Sequence, residues 1–123
     1  MDWKLELVMV PVSDVDRAKA FYTDQVGFNA DYDVRVSEEV RFVQLTPPGS
    51  ACSIAIGEGL TDAPPGSVPN LQVVVSDVES ARAQLVERGV EATEVEKQDW
   101  GWFVSFKDPD GNPWTLQQVP IRD

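Results

Sequence analysis

Histidine is absent from this chain of 123 residues, and cysteine occurs once, at Cys52. The first absence removes the commonest biological metal ligand and the commonest general base together. No serine- or cysteine-histidine catalytic pair can be assembled, and no zinc centre built on several thiolates. A single cysteine excludes an internal disulfide. Basic residues are scarce: 10 against 21 acidic ones, for a net charge of −11. That balance disfavours nucleic acid, which is held by a basic face. It also disfavours an anionic membrane surface and draws in cationic ligands. No long apolar run is present. The start, MDWKLELVMVPV, lacks a basic region followed by an apolar stretch, so neither a signal peptide nor a membrane span is expected and the default location is cytoplasmic. The only short glycine pair, GEG at 57–59, is too brief for a phosphate loop and no basic residue follows it.

What is present is a repeat. VPVSDVDRAKAFY (10–22) aligns with VVVSDVESARAQL (73–85) at an offset of 63, with seven of thirteen positions identical. Internal similarity at a fixed offset implies two structural modules. Module one spans about 1–57 and module two about 70–123. The Gly- and Pro-rich segment GEGLTDAPPGSVPN (57–70) is the linker between them, taken as about 57–69. The length suits a single domain made of both.

Each copy reads as strand, cap, helix. LVMVPV and LQVVVS have strand composition. Ser13 or Asp14 then caps the first helix, and Ser76 or Asp77 the second. Val15, Ala18, Phe21 and Tyr22 share one helical face, as do Val78, Ala81 and Leu85. Gly27 and Gly89 suit the helix stops. The pattern then changes to period two. Expected strands are VRV (34–36), RFVQLT (41–46) and ACSIAI (51–56) in module one. In module two they are VEATEVEK (90–97), WFVSF (102–106) and PWTLQQV (113–119). The unit is βαβββ, used twice. Glu94 and Glu96 share a strand face and are read as solvated.

Duplicated βαβββ units, PVSDVDRAKAFY near the start and DPDGNPWTLQ near the end resemble the vicinal oxygen chelate superfamily: glyoxalase I, extradiol dioxygenases, fosfomycin-resistance enzymes and bleomycin-binding proteins. The resemblance covers nearly the whole chain. It implies an α+β fold of two tandem βαβββ modules, forming a curved, cup-shaped mixed sheet with helices outside. Metal-dependent relatives are expected to place one ligand seven residues before the helix-capping Asp and another four after the turn Gly. Carried over, this gives Leu7, Asn70 and Thr115, and Ser53 by way of Gly49. Leu7 has no donor atom and the others offer only neutral oxygens, whereas divalent cations are held by carboxylate, imidazole or thiolate. No metal and no cofactor is therefore expected.

The cup still needs a lining. Alternation around the quartet adds Leu5 and Met9 on the first strand, Gln72 and Val74 on its counterpart, Gln117 on the last strand, and Phe42 and Gln44. These are read as an apolar pocket with a few amides and hydroxyls, as small-molecule sites commonly are. Ordinary core or dimer packing explains the same residues without a ligand. Trp100 and Trp102 in DWGWF are read as stacking on a planar or cationic ligand, with hairpin packing as the alternative. Trp114 is expected to face the helices, and Trp3 to pack or to join a dimer contact. Leu5, Leu7 and Met9 on one side and Val8, Val10 and Val12 on the other suggest a first strand buried on both faces, hence a homodimer. Catalytic residues are not identifiable: Tyr32, Asp99 and Glu6 have suitable chemistry, but nothing places them beside a substrate. The leading reading is a metal-independent protein that sequesters a cationic or planar aromatic compound. The alternative is a glyoxalase-like lyase, isomerase or dioxygenase acting on a small metabolite.

Overall fold

A computed structural model describes residues 1–120; the last three residues, assigned above to module two, lie outside them. The elements follow the duplicated order. Module one holds β1 (Leu7–Met9), α1 (Val15–Ala20), a π-helical continuation (Phe21–Val26), β2 (Asn29–Arg35), β3 (Arg41–Thr46) and β4 (Ser53–Glu58). Module two holds β5 (Leu71–Val74), α2 (Val78–Glu87), β6 (Glu96–Gln98), β7 (Gly101–Lys107) and β8 (Pro113–Gln118). Strand β2 begins five residues before the predicted VRV. Strand β6 is only the end of the predicted VEATEVEK, because residues 90–95 run alongside β7 with few ladder bonds, among them Thr93 N–H to the Ser105 carbonyl.

The caps are the aspartates. Asp14 accepts from the Arg17 N–H and Asp77 from the Ser80 N–H, both from extended backbone. Ser13 has another task, described below. Each helix is followed by a glycine in the left-handed region, Gly27 at φ 96° and Gly89 at φ 86°, which a side chain would strain. The coil widens after Ala20, and the adjacent Phe21 and Tyr22 are both buried there.

The strands form two four-stranded mixed sheets, ordered β1-β4-β3-β2 and β5-β8-β7-β6, with the outer pairs β1–β4 and β5–β8 parallel and the rest antiparallel. One apolar core joins both sheets to the helices. Val43, Leu45, Ile54 and Ile56 come from the first sheet, Val104, Phe106, Trp114 and Leu116 from the second, and Phe21, Tyr22, Val78 and Leu85 from the helices. Tyr22 stacks on Phe28 and Trp114 on Phe106. The helices thus cover one face of each sheet and leave the other uncovered. The first strand is not buried on both sides: Leu5 is 68% exposed and Met9 40%.

The DPDGN turn fastens the modules together. Asp108 is buried and accepts from the Tyr22 hydroxyl at 2.8 Å, from Asn112 Nδ2 at 2.8 Å, and from the backbone N–H of Asp110 and Asn112. Asn112 also donates to the Pro11 carbonyl and accepts from the Val68 N–H of the linker. The Trp114 indole donates to the Tyr22 oxygen at 3.0 Å. Two residues after Asp108, Asp110 accepts from the Ser13 N–H and hydroxyl at 3.1 and 2.6 Å. A buried carboxylate is tolerable only with this many donors. Burial and the neighbouring Asp108 push the Tyr22 phenol far above its ordinary range.

Candidate functional site

Strand alternation decides which side chains occupy the uncovered faces. On the first sheet, Leu7 is the register partner of Ser53, Met9 of Ala55, Gln44 of Ala55 and Phe42 of Gly57. Tyr32 and Val34 of the outer strand sit opposite Gln44 and Phe42. This face is apolar apart from Gln44 and the Ser53–Thr46 hydroxyls, and it is largely exposed at its rim, with Tyr32 at 60% and Val34 at 49%. On the second sheet, Gln72 pairs with Thr115, Val74 and Phe103 with Gln117, and Ser105 with Thr115. That face is mostly neutral and polar. Asn70 precedes β5 and accepts from the Thr115 hydroxyl at 3.1 Å.

The family-derived quartet therefore splits into two pairs, Leu7 with Ser53 on one sheet and Asn70 with Thr115 on the other. The donor set does not fit a metal of the family type. Leu7 has nothing to offer, Ser53 is buried and already bonded to Gln44 and Thr46, and no group of three His, Cys, Asp or Glu side chains able to hold a metal occurs among the described residues.

Of the aromatic candidates, Trp100 is 60% exposed and its carbonyl accepts from Gln117 Nε2, which places it at the rim of the second open face. Trp102 does not share that face. Its register partner is Gln118, its strand neighbours Val104 and Phe106 are buried, and it packs against the core with Lys97 5.7 Å over its ring. Period two puts Phe103, not Trp102, beside Gln117, so Phe103 and Ser105 are the side chains this strand gives to the open face. Trp114 faces the helices as expected, and Trp3 is 90% exposed.

Sequence reasoning also passed over Asp31. The ladder between β2 and β3 shifts register between Ala30 and Tyr32. Such a bulge re-aims one side chain, and the Asp31 carboxylate reaches the Thr46 hydroxyl, which in turn meets Ser53 Oγ at 2.6 Å. A bulge leaves no signature in an alternating sequence, so only the paired strands reveal it.

Each open face borders its own groove. One of about 690 Å³ adjoins Asn70, Ser105 and Thr115 and is walled by residues 89–93, Phe106 and Pro109. One of about 270 Å³ adjoins Met9, Ala55 and Gly57 and is walled by the linker residues Leu60, Thr61, Ala63 and Pro65. Neither groove is lined by the open face of the other sheet.

Residues 4–116 match the family model described as the Glyoxalase/Bleomycin resistance protein/Dioxygenase superfamily. The fold is similar to that of TnmS3, an antibiotic binding protein from Streptomyces sp. CB03234, with a TM-score of 0.88, 35% identity and coverage of 97% of this chain and 98% of that one. A superfamily member from Sphaerobacter thermophilus DSM 20745 superposes with a TM-score of 0.84 at 30% identity, covering 95% and 98%. The uncharacterized protein YetH of Bacillus subtilis is 28% identical over 113 residues, 90% of this chain and 94% of YetH.

Proposed function

The chain belongs to the Glyoxalase/Bleomycin resistance protein/Dioxygenase superfamily, and on that footing we propose that it binds and sequesters a small planar or cationic compound without a metal. The observation that carries this reading is the lining itself. The two open faces offer apolar surface, amides and hydroxyls, with no set of ligands for a cation at the positions metal-dependent relatives would use. The likeness to TnmS3, described as antibiotic binding, supports binding rather than turnover. Fold alone would not decide between them.

The reading includes a second copy of the chain. Each open face borders a separate groove, and the first face carries exposed Met9, Tyr32 and Val34, with Leu5 and Trp3 exposed just before β1. A homodimer in which the first sheet of each protomer faces the second sheet of its partner would cover that apolar surface and enclose two equivalent sites. The lining would then be Leu7, Met9, Phe42, Gln44 and Ser53 from one protomer and Asn70, Gln72, Trp100, Thr115 and Gln117 from the other. The net charge of −11 favours a cationic ligand at long range.

The test has two parts. Elemental mass spectrometry on protein purified without chelator or affinity tag, with thermal shifts across nickel, zinc, manganese and iron, is expected to find no stoichiometric metal and no saturating shift. One metal per chain would overturn the metal-free reading. Light scattering at micromolar concentration is expected to give a dimer mass, and a monomer would sink the shared site.

A further inference from the structure

Each open face carries a chain of hydrogen bonds that ends on a group able only to accept. On the first sheet that group is the Asp31 carboxylate, to which the Thr46 hydroxyl gives its proton. Ser53 must then donate to Thr46 Oγ1 across 2.6 Å, and Gln44 Nε2 donates to Ser53 Oγ at 3.1 Å. On the second sheet the terminus is the Trp100 carbonyl. Gln117 must present Nε2 to it, at 3.0 Å, so its Oε1 faces Gln72, which must present Nε2 in turn, at 2.8 Å. The two ends of an amide have the same shape but opposite hydrogen-bonding character, so a fixed terminus orients every amide behind it. Both chains therefore finish alike. Gln44 Oε1 and Gln72 Oε1 are carbonyl oxygens without a protein partner among the described residues. Asn70 and Thr115 have no such anchor, since a hydroxyl serves either way, and they take no part in the argument.

We infer that Gln44 and Gln72 are specificity-determining residues that select a ligand bearing N–H or O–H donors over one bearing only acceptors. The inference rests on the reading that the two open faces enclose one ligand site. The chain's acidity attracts any cation alike and does not make this distinction. The oriented amides do, because turning either one outward by its Nε2 would bring two acceptors together inside the chain and leave a donor unused.

Three acridines separate donor recognition from charge. 9-Aminoacridine is a planar cation with N–H donors, 10-methylacridinium is a planar cation with none, and acridine at pH 8 is neutral and accepts only. Fluorescence titration at 150 mM salt is expected to show 9-aminoacridine binding about tenfold more tightly than 10-methylacridinium, as two hydrogen bonds imply. Gln44→Met and Gln72→Met should each weaken 9-aminoacridine about threefold more than they weaken 10-methylacridinium, whose retained binding reports on the variant site. Equal affinity for the two cations, or variants that weaken both equally, would overturn the inference while leaving the site in place. Binding of none of the three would overturn the site and the inference with it.

Discussion

The duplicated modules close their last hairpins with turns at matching positions, and the two turns do opposite things. In module one the turn Pro47–Ser50 is held by one backbone bond, Ser50 N–H to the Pro47 carbonyl, and its tip is exposed. In module two the turn Asp108–Asn112 is sunk against the other module, and Asp108 and Asn112 are buried with every polar atom engaged. A repeat in sequence thus became a division of labour. One hairpin is free to vary, and the other joins the first helix, the strand exit at Pro11, the linker at Val68 and the last strand. DPDGN serves the architecture, a role that asks nothing of Thr115.

The sharpest way to break this comparison is Asp108→Ala. It strips the acceptor from a buried phenol, a buried amide and two backbone N–H groups, and is expected to cost about 3 kcal/mol or more in urea unfolding. Pro48→Ala in the opposite turn should stay within about 0.5 kcal/mol. Equal losses would mean the two turns are equivalent after all.

Tyr22→Phe sharpens the same contrast through pH. Its phenol is held far above the ordinary value near 10. A group whose folded pKa is raised contributes stability that is fully present below its unfolded pKa and lost as pH rises beyond it, because only the unfolded chain releases the proton there. Wild-type protein should therefore lose stability above about pH 10, and Tyr22→Phe should lose that part of the alkaline slope. At neutral pH the variant should cost about 2 kcal/mol, since the Trp114 N–H and the Asp108 carboxylate each lose a partner. An alkaline slope identical in both proteins would place the titration elsewhere.

The open faces differ as well, and Met9→Asp tests that difference. Charge placed on the apolar first face should dissociate the dimer by light scattering, while Val74→Asp on the polar second face, at 64% exposure, should weaken it less. The reverse order would mean that the second sheet, not the first, supplies the larger share of the contact.

The smallest effect is expected outside both faces. Arg41 binds Asp33 and Asp16, and Lys19 also binds Asp33, which fastens α1 to the β2–β3 hairpin. Among the described residues, module two has within itself the pair Arg82–Glu94 alone. The Arg41 and Lys19 hydrogen bonds hold the Asp33 carboxyl well below its ordinary range. A depressed carboxylate contributes stability above its unfolded pKa and loses it as pH falls below about 4. Because the group is partly exposed and screened by salt, Arg41→Ala should cost no more than about 1 kcal/mol, and less at 1 M salt. A loss insensitive to salt would show that Arg41 acts through packing.

The repeated SDV–A–A pattern was enough to find both helices, because capping chemistry and helical spacing are local. It left Ser13 and Asp14 undecided, since either side chain can cap; the approach of Asp110 from across the fold took Ser13 for another bond. The alternation of RFVQLT and PWTLQQ placed Gln44, Thr115 and Gln117 on open faces. The same rule applied to WFVSF puts Phe103 on the open face and Trp102 on the opposite one. Leu5 alternates with apolar neighbours as a buried residue would, yet it leads into an edge strand, so within one chain nothing covers it.

What the sequence by itself determined is the duplicated βαβββ architecture, the helix boundaries, and that the four positions carried over from the family hold Leu7, Ser53, Asn70 and Thr115 in place of His, Cys, Asp or Glu. All of these depend on neighbours a few residues apart or on residue chemistry alone. Only the tertiary structure decided that Asp108 is a buried tie and Asp31 a side chain re-aimed by a bulge. It also decided that Trp102 packs against the core and that Gln44 and Gln72 each commit Nε2 to a hydrogen-bond chain. Each of these depends on a partner far away in the chain, where strand register and close packing, not local preference, choose which polar groups must meet.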